Sequence, residues 1–425
     1  MKSYASKIQE CTDTLGARFL VYPFGESDTI SAVVSITGGH YLTKNPLVAD
    51  LHAAMLLEGT KKRDKKDIQI FLDSIGAFLS FSPSFDRLEA TIKVRKQHLN
   101  AVLSLAIEML TESTFKDKEL AILKQQFAGA LQTEAENTQA QASLLLGALM
   151  YEKTHPNFGD ATKDKVAFLR KATRKELLSY HARLGGHESL VVSIAGGVDD
   201  ISPKLLSSKF KKIPVAKSLK ITLPKPSRSL GGDAIAVVPG KASINHMVGF
   251  RLGITRKHED YPALMLAARI LGNPGFTGRL MSIVREKEGL TYMTYAFMRG
   301  FDSMADGVFI ISSSFAPSLF KQGRAAVLRE LKRLVEKGPT QDEFEAHKSL
   351  FLSNWHVRFS KSSVFASALH DALVEEEGLS YLDTFPNKVA SLRLADVARV
   401  LKDYIQLKHI SEAAAGAVEK DALSS

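Results

Sequence analysis

The chain has 425 residues, 45% of them hydrophobic and 24% charged, which is typical of a folded protein of at least two globular units rather than a disordered one. Its single cysteine excludes an internal disulfide bond and argues against a thiolate metal site. The net charge of +10 includes lysine-rich stretches at 61–66 and 204–228. Neither stretch has interleaved aromatic residues, so a solvated face or an acidic partner is favoured over nucleic acid.

No apolar run is long enough to span a membrane, and the N-terminal run MKSYASKIQECTD lacks a hydrophobic signal core. These features predict a cytoplasmic, bacterial-type location without a membrane span, unless a leader has been removed.

The first half of the chain is predicted to contain strands and helices in an α+β order. Runs rich in β-branched residues at 18–23 and 29–37 predict two strands. Asn45-Pro46 is a typical helix start, and this helix is expected to run to Gly59. A second helix ending at Gly76, two further strands, several helices and a strand at 190–195 complete this half.

Residues 201–232 are predicted to be a linker, because they contain four prolines, many lysines and a closing Gly-Gly pair. The predicted domains are therefore an N-terminal half at 1–200 and a C-terminal half at 233–425.

The second half repeats the order of the first. The stretch 282–295 aligns with 70–83 to within one residue, and Gly289 corresponds to Gly76 when a one-residue insertion is allowed. A duplicated α+β unit is the simplest explanation. We therefore expect two tandem, structurally similar α/β-sandwich halves, joined by a linker in a clam-shell-like arrangement.

The stretch around Arg285 and Tyr292 is the most informative part of the second half. Asn273-Pro274-Gly275 predicts a turn, followed by a short amphipathic helix with Phe276 on its apolar face. Gly289 suits a helix C-terminus, and a strand is expected at 290–297.

Arg285 then lies in the last helical turn and Tyr292 just inside the strand, so both could point at one peptide carbonyl. The alternative is an ion pair of Arg285 with Glu286 or Glu288, and a core position for Tyr292.

The run 49–60 reads A-D-L-H-A-A-M-L-L-E-G-T. It resembles the first helix of the pitrilysin/insulinase-type zinc peptidases, the H-x-x-E-H inverzincins that include mitochondrial processing peptidase, which reads roughly A-H-x-x-E-H-x-x-F-x-G-T. On this resemblance Asp50 replaces the first zinc histidine, Ala53 the catalytic glutamate and Ala54 the second histidine. The third ligand of the family, a glutamate on a later helix, falls near Ala130.

The residues themselves agree with a lost zinc site. Catalytic zinc needs about three protein ligands, and two histidines four apart on a helix can converge on one metal. No two of the twelve histidines are three to five residues apart. We therefore expect no metal cofactor in this chain, and His52 is expected to be a partly buried or capping residue.

Two further motifs carry the resemblance. The family motif R-E-K-x-G-L-A-Y matches the run from Arg285 to Tyr292. In the family this Arg/Tyr pair contacts the substrate backbone and the developing oxyanion at the zinc site of the other half or subunit. The family's substrate-binding edge strand corresponds to Ala77, Phe78, Leu79 and Ser80, although an ordinary core strand is an equal alternative there.

The resemblance implies a zinc-less subunit of a heteromeric metalloendopeptidase. Arg285 and Tyr292 would complete the site of a homologous, zinc-bearing partner, and the substrates would be peptides. Such a chain would be active only within the complex. The alternatives are a catalytically inactive scaffold or peptide-binding protein of the same fold and, last, an autonomous zinc peptidase.

Overall fold

The computed structural model describes residues 3–25, 28–198, 200–216, 221–228, 231–272, 277–302, 305–419 and 421–423. The predicted turn at Asn273-Pro274-Gly275 and the predicted core position of Phe276 lie outside these residues.

Eleven strands are present in the described part of the chain. They are β1 Gln9–Thr12, β2 Arg18–Pro23, β3 Thr29–Thr37, β4 Phe78–Pro83, β5 Arg87–Arg95, β6 Val191–Gly196, β7 Gly232–Val237, β8 Ile244–Arg251, β9 Met293–Arg299, β10 Val308–Phe315 and β11 Ser411–Gly416.

The α-helices are α1 Pro46–Met55, α2 Lys65–Ser74, α3 Leu99–Glu112, α4 Asp117–Glu136, α5 Thr138–Met150, α6 Thr162–Lys171, α7 Arg174–His181, α8 Pro203–Phe210, α9 Tyr261–Gly272, α10 Phe320–Lys337, α11 Gln341–Arg358, α12 Ser362–Val374, α13 Tyr381–Ala390 and α14 Leu394–Tyr404. A π-helical turn, Met281–Lys287, lies between α9 and β9. None of these described helices is both long and apolar enough to cross a membrane.

The chain forms two compact units. Unit 1 comprises residues 1–129, 165–222 and 355–384, and unit 2 comprises 130–164, 223–354 and 385–425.

The sheet of unit 1 has the order β1-β2-β6-β3-β5-β4, in which only the β2–β6 pair is parallel among the described strands. The central strand β3 is buried after its first residue. α12 packs directly on β3, and α3 packs on its neighbour β5, whose alternate residues are buried. β4 lies at the edge and pairs with β5.

The sheet of unit 2 has the order β7-β11-β8-β10-β9, again with one parallel pair, β7–β11, among the described strands. Each of these strands takes the place of one in unit 1: β7 that of β2, β11 that of β6, β8 that of β3, β10 that of β5 and β9 that of β4. The matching order and directions confirm the predicted duplication of an α+β unit.

Two helices are exchanged between the sequence halves. α5, from the first half, packs on β7, β8 and β11 of unit 2, and α12, from the second half, packs on β3 and β6 of unit 1. Each supplies an apolar surface that the sheet face requires; in unit 2, Leu146 and Met150 cover Met247 and Ile310. The compact units therefore differ from the predicted halves at 1–200 and 233–425. Residues 130–164, which include α5, belong to unit 2, and residues 355–384, which include α12, belong to unit 1.

The predicted linker at 201–232 is not wholly irregular. Ser202 caps α8, which begins with a proline and buries Leu206 and Phe210 against unit 1. The Phe210 ring lies 5.9 Å from that of Phe19 on β2. The chain passes from unit 1 to unit 2 after residue 222, within the predicted linker.

Candidate functional site

The helix at the position of the zinc motif begins where predicted, but α1 ends at Met55 rather than running to Gly59, and a 3₁₀ turn, Leu56–Glu58, follows it. Asn45 is the N-cap of α1, its side chain accepts a hydrogen bond from the Leu47 backbone N–H at 3.2 Å, and Pro46 occupies the first turn. The polar side chains of α1 are engaged within unit 1. Asp50, at the position of the first zinc histidine, lies 3.1 Å from Nε2 of His40.

His52 is fully buried, rather than the partly buried or capping residue that was expected. Its Nε2 lies 2.9 Å from Nδ1 of His181 at the end of α7, and its ring stacks on Phe115. Burial, and then the charge of His181, hold the pKa of His52 well below its usual range. Burial also lowers the pKa of His181. The pair is therefore a neutral, internally bonded part of the core at neutral pH.

The residues at the expected zinc positions do not fit zinc. Ala53 and Ala54 carry no ligand atom, and Asp50 pairs with a histidine on another segment. Ala130 is an exposed alanine on α4. Across the described ranges, no group of three or more His, Cys, Asp or Glu side chains could hold a metal ion. The chemistry of this donor set supports no metal-dependent step in the chain.

The Arg/Tyr segment of unit 2, residues 277–292, differs in detail from its prediction. The amphipathic helix is a π-helical turn, in which the Glu288 N–H donates to the Ile283 carbonyl at 3.0 Å. β9 begins at Met293, so Tyr292 directly precedes the strand rather than lying inside it. π-helical turns are rare and occur frequently at functional sites.

Tyr292 is 92% exposed, which excludes the core position considered for it. Arg285 is half-buried in the last residues of the π-helical turn. Glu288, one of the partners considered for Arg285, forms an ion pair with Arg329 of α10. The two candidate residues therefore lie on one short segment, with the phenol fully presented to solvent.

The connection between the turn and the edge strand is built similarly in the two units. Gly76 precedes β4 with φ of +60°, and Gly289 precedes the β9 region with φ of +65°, in the left-handed region that favours glycine. This agreement places the two glycines at equivalent positions, as the alignment predicts.

The two connections differ by one residue. At the end of α2 the Gly76 N–H donates to Asp73 and the Ala77 N–H donates to Leu72. In unit 2 the Gly289 N–H donates to Arg285 and the Leu290 N–H donates to Val284, so each hydrogen bond closes a loop that is one residue longer. The extra residue widens the turn that carries Arg285.

Two contacts of this segment with α11 are not apparent from the sequence alone. Arg279 donates two hydrogen bonds to Glu343, and His347 contacts the Thr277 carbonyl at 3.1 Å. The sequence signal that could have identified Glu343 is the pattern Thr340-x-x-Glu343, a capping box at the start of a helix.

The predicted peptide-binding residues lie at and just before the edge strand of unit 1. Phe78 is 55% exposed, Leu79 is buried in the core, and Ala77 and Ser80 are half-buried. On its outer side β4 has no neighbouring strand among the described residues. An extended peptide could therefore add to this edge through main-chain hydrogen bonds.

Comparisons with known proteins relate most of the chain to one family. A model of the insulinase family, peptidase family M16, matches residues 26–157. A model described as the peptidase M16 inactive domain matches residues 171–351.

Relatives cover nearly the whole chain at low identity. The non-peptidase homolog YmxG of Helicobacter pylori is 23% identical over 389 residues, covering 90% of this chain and 88% of that protein. The probable mitochondrial-processing peptidase subunit beta of Schizosaccharomyces pombe is 20% identical over 428 residues, covering 94% and 88%.

Solved structures have the same fold. A peptidase M16 inactive domain from Pseudomonas fluorescens matches with a TM-score of 0.87 at 24% identity, covering 97% of this chain and 98% of that one. A protease from Helicobacter pylori matches with a TM-score of 0.84 at 19% identity, covering 96% and 99%. With both family models on consecutive parts of the sequence and the fold shared throughout, this chain belongs to the insulinase family of peptidases, M16.

Proposed function

We propose that this chain is the zinc-less subunit of a heteromeric M16 endopeptidase, and that Arg285 and Tyr292 bind the substrate carbonyl in the site of a homologous, zinc-bearing partner. The observation that carries the proposal is the 92% exposure of Tyr292 on a segment whose neighbours Leu290 and Thr291 are buried. A tyrosine held in this way offers its hydroxyl to a second molecule rather than to its own core.

The chemistry assigned to the pair is oxyanion stabilisation. When a peptide bond is attacked, negative charge grows on the carbonyl oxygen, and two fixed N–H and O–H donors stabilise that charge more than they stabilise the ground state. Arg285 and Tyr292 are donors of this kind, and the segment that carries them is held by contacts with the rest of unit 2.

The first half supports a divided site. Its zinc positions hold Asp50, Ala53 and Ala54, so the attacking water would have to be activated elsewhere. One relative is named a non-peptidase homolog, which agrees with a chain that lacks its own catalytic site, and another is named a processing peptidase subunit, which agrees with a role within a larger enzyme. A cytoplasmic location is part of the same proposal.

A second candidate function is peptide binding without cleavage, as a scaffold or peptide-binding protein. The open outer edge of β4, with Phe78 half-exposed, favours this alternative. It would need no contribution from Arg285 or Tyr292.

The decisive experiment uses the chain co-purified from its host with its zinc-bearing partner, and an unstructured fluorogenic peptide. Arg285→Ala and Tyr292→Phe should each lower the cleavage rate by about 10²–10³-fold, which is typical for removing one oxyanion donor. The complex should remain associated on size-exclusion chromatography, because neither change removes buried apolar surface.

Two matched variants control for changes of charge and shape. Lys287→Ala removes an exposed cation from the same turn, and Tyr295→Phe removes a hydroxyl that is already bonded to Gln139 on α5. Both should keep nearly full activity. Unchanged rates in Arg285→Ala and Tyr292→Phe would refute the proposal, and peptide binding that persists without cleavage would favour the second function.

A further inference from the structure

The Arg/Tyr segment is fastened to the rest of unit 2 at several points. Glu288 forms an ion pair with Arg329 of α10. Near its end, the Thr291 hydroxyl donates to the Ser314 carbonyl on β10 and accepts from the Met293 backbone N–H. The contact before the π-helical turn is different in kind, because it is an ion pair whose cation, Arg279, is buried.

This ion pair joins Arg279 to Glu343, a half-buried residue in the first turn of α11. Arg279 is only 9% exposed. Its Nε donates to Oε1 at 2.8 Å and its Nη2 to Oε2 at 2.5 Å, so the guanidinium is held in a fixed orientation. Burial would raise the pKa of Glu343, but the hydrogen bond from Arg279 brings it below its usual range. The carboxylate is therefore charged at neutral pH.

Glu343 also caps the N-terminus of α11. Its Oε2 accepts from the Thr340 backbone N–H at 2.8 Å, and its own backbone N–H donates to the Thr340 hydroxyl at 3.2 Å. This capping box orients the Glu343 carboxylate independently of Arg279. Arg279 therefore binds a rigid point of the scaffold rather than a mobile surface side chain.

The remaining guanidinium nitrogen shows how much Arg279 depends on this partner. Nη1 is buried and has no hydrogen-bond partner among the described residues. A buried cation with one unbonded nitrogen is costly unless the rest of the group is well paired. Glu343 supplies that pairing with both of its oxygens.

The π-helical turn explains why such an anchor is needed. π-helical turns are rare and short, so we expect contacts from outside the turn to hold it in this conformation. α2, at the equivalent position in unit 1, closes shorter loops, and Ile68 is its only buried residue. The turn before Tyr292, in contrast, buries Met281 and Val284 and follows directly after buried Arg279 and Leu280.

We infer that Arg279 is a positioning residue: its ion pair with Glu343 holds the π-helical turn in the conformation that presents Arg285 and Tyr292. Its effect on catalysis rests on the proposed function, whereas its effect on the turn can be measured in the chain alone.

The first test is amide hydrogen exchange in the purified chain. Arg279→Lys keeps the charge but loses the two-pronged geometry, and should speed exchange in 281–291 by roughly tenfold or more while β10 keeps its protection. Glu343→Gln should act in the same direction while keeping a side chain that can still cap α11.

The matched control is Arg393→Lys. Arg393 also makes a two-pronged pair with a capping carboxylate, that of Asp396 at the start of α14, but its side chain is 81% exposed. Exchange in 281–291 should not change in this variant. Equal protection in wild type, Arg279→Lys and Glu343→Gln would overturn the inference.

The second test is a double-mutant cycle in the two-subunit enzyme. If Arg279 acts through Arg285, Arg279→Lys should lower kcat with little change in KM, and should cost little more activity in the Arg285→Ala background. Additive losses would overturn the catalytic part of the inference.

The two proposals fail in different ways. If Arg285→Ala and Tyr292→Phe leave the rate unchanged, the proposed function fails, and the exchange experiment still decides whether Arg279 holds the turn. If they lower the rate while Arg279→Lys changes neither exchange nor kcat, only the positioning role fails.

Discussion

The two edge regions of this protein, α2 to β4 in unit 1 and the π-helical turn to β9 in unit 2, are copies of one connection that have diverged in a specific way. Both end in a left-handed glycine and enter an edge strand. In unit 1 an exposed, regular helix leads to an apolar side chain, Phe78. In unit 2 a wider, well-anchored turn leads to Tyr292, a side chain with a hydrogen-bonding group.

This difference separates two ways of using an edge strand. An open main-chain edge needs only regular backbone to accept a peptide, and β4 provides it. Two side-chain donors that act on one carbonyl must both be oriented towards it. An additional residue in the preceding turn changes the direction of one of these side chains, Arg285. Under the proposed functions, the first copy would bind a peptide through its backbone, and the second would stabilise charge through its side chains.

The largest expected effect is on cleavage, when the extra residue of the turn in unit 2 is removed. Deleting Glu286, which is exposed, shortens both loops to the lengths found after α2, with the Val284 and Arg285 carbonyls still as acceptors. The unfolding free energy should fall by less than about 1 kcal/mol, because no buried side chain is lost. Cleavage by the two-subunit enzyme should nevertheless be abolished, since the proposed role of Arg285 depends on the direction that the wider turn gives its side chain.

The matched deletion is that of Gln69 in α2, where no residue is in excess. It would rotate Ile68, which is 2% exposed, out of the core, at a cost of about 1.5–3 kcal/mol. Urea unfolding of both variants measures the contrast. If the Glu286 deletion were the more destabilising of the two, the turn would not contain a dispensable residue.

The paired glycines give a test of intermediate size. A Cβ added at Gly76 or at Gly289 would meet no atom within 4 Å, so the cost of alanine is that of the left-handed backbone alone. Gly76→Ala and Gly289→Ala should each destabilise by about 1–2 kcal/mol, and by similar amounts. Clearly unequal losses in thermal unfolding would mean that the two connections are not equivalent in their backbones.

Much of this framework could be predicted from local sequence. Asn45-Pro46 identifies the start of α1, and the alignment of Gly289 with Gly76 predicts two edge strands of the same kind. These signals are local because capping and left-handed turns depend on a few neighbouring residues.

The other features depend on contacts between distant parts of the sequence. α5 and α12 each pack on the sheet face that would otherwise be exposed to solvent. Because hydrophobic burial is non-directional, the sequence of an apolar helix does not show which sheet it packs on. The pairing of His52 with His181 joins residues 129 positions apart. The π-helical turn has the apolar pattern of an ordinary helix, because one added residue hardly alters the burial of Met281 and Val284.

The smallest expected effect concerns peptide binding at β4. Strand addition takes most of its affinity from main-chain groups, so Phe78→Ser should remove only a cross-strand side-chain contact worth about 0.5–1 kcal/mol. Binding of a fluorescein-labelled unstructured peptide, measured by polarisation, should weaken roughly two- to fivefold. Ile70→Ser, at a similarly exposed position on α2, is the control and should leave affinity unchanged. If Phe78→Ser abolished binding, the contact would be a side-chain pocket, and if it had no effect, the peptide would bind elsewhere than at this edge.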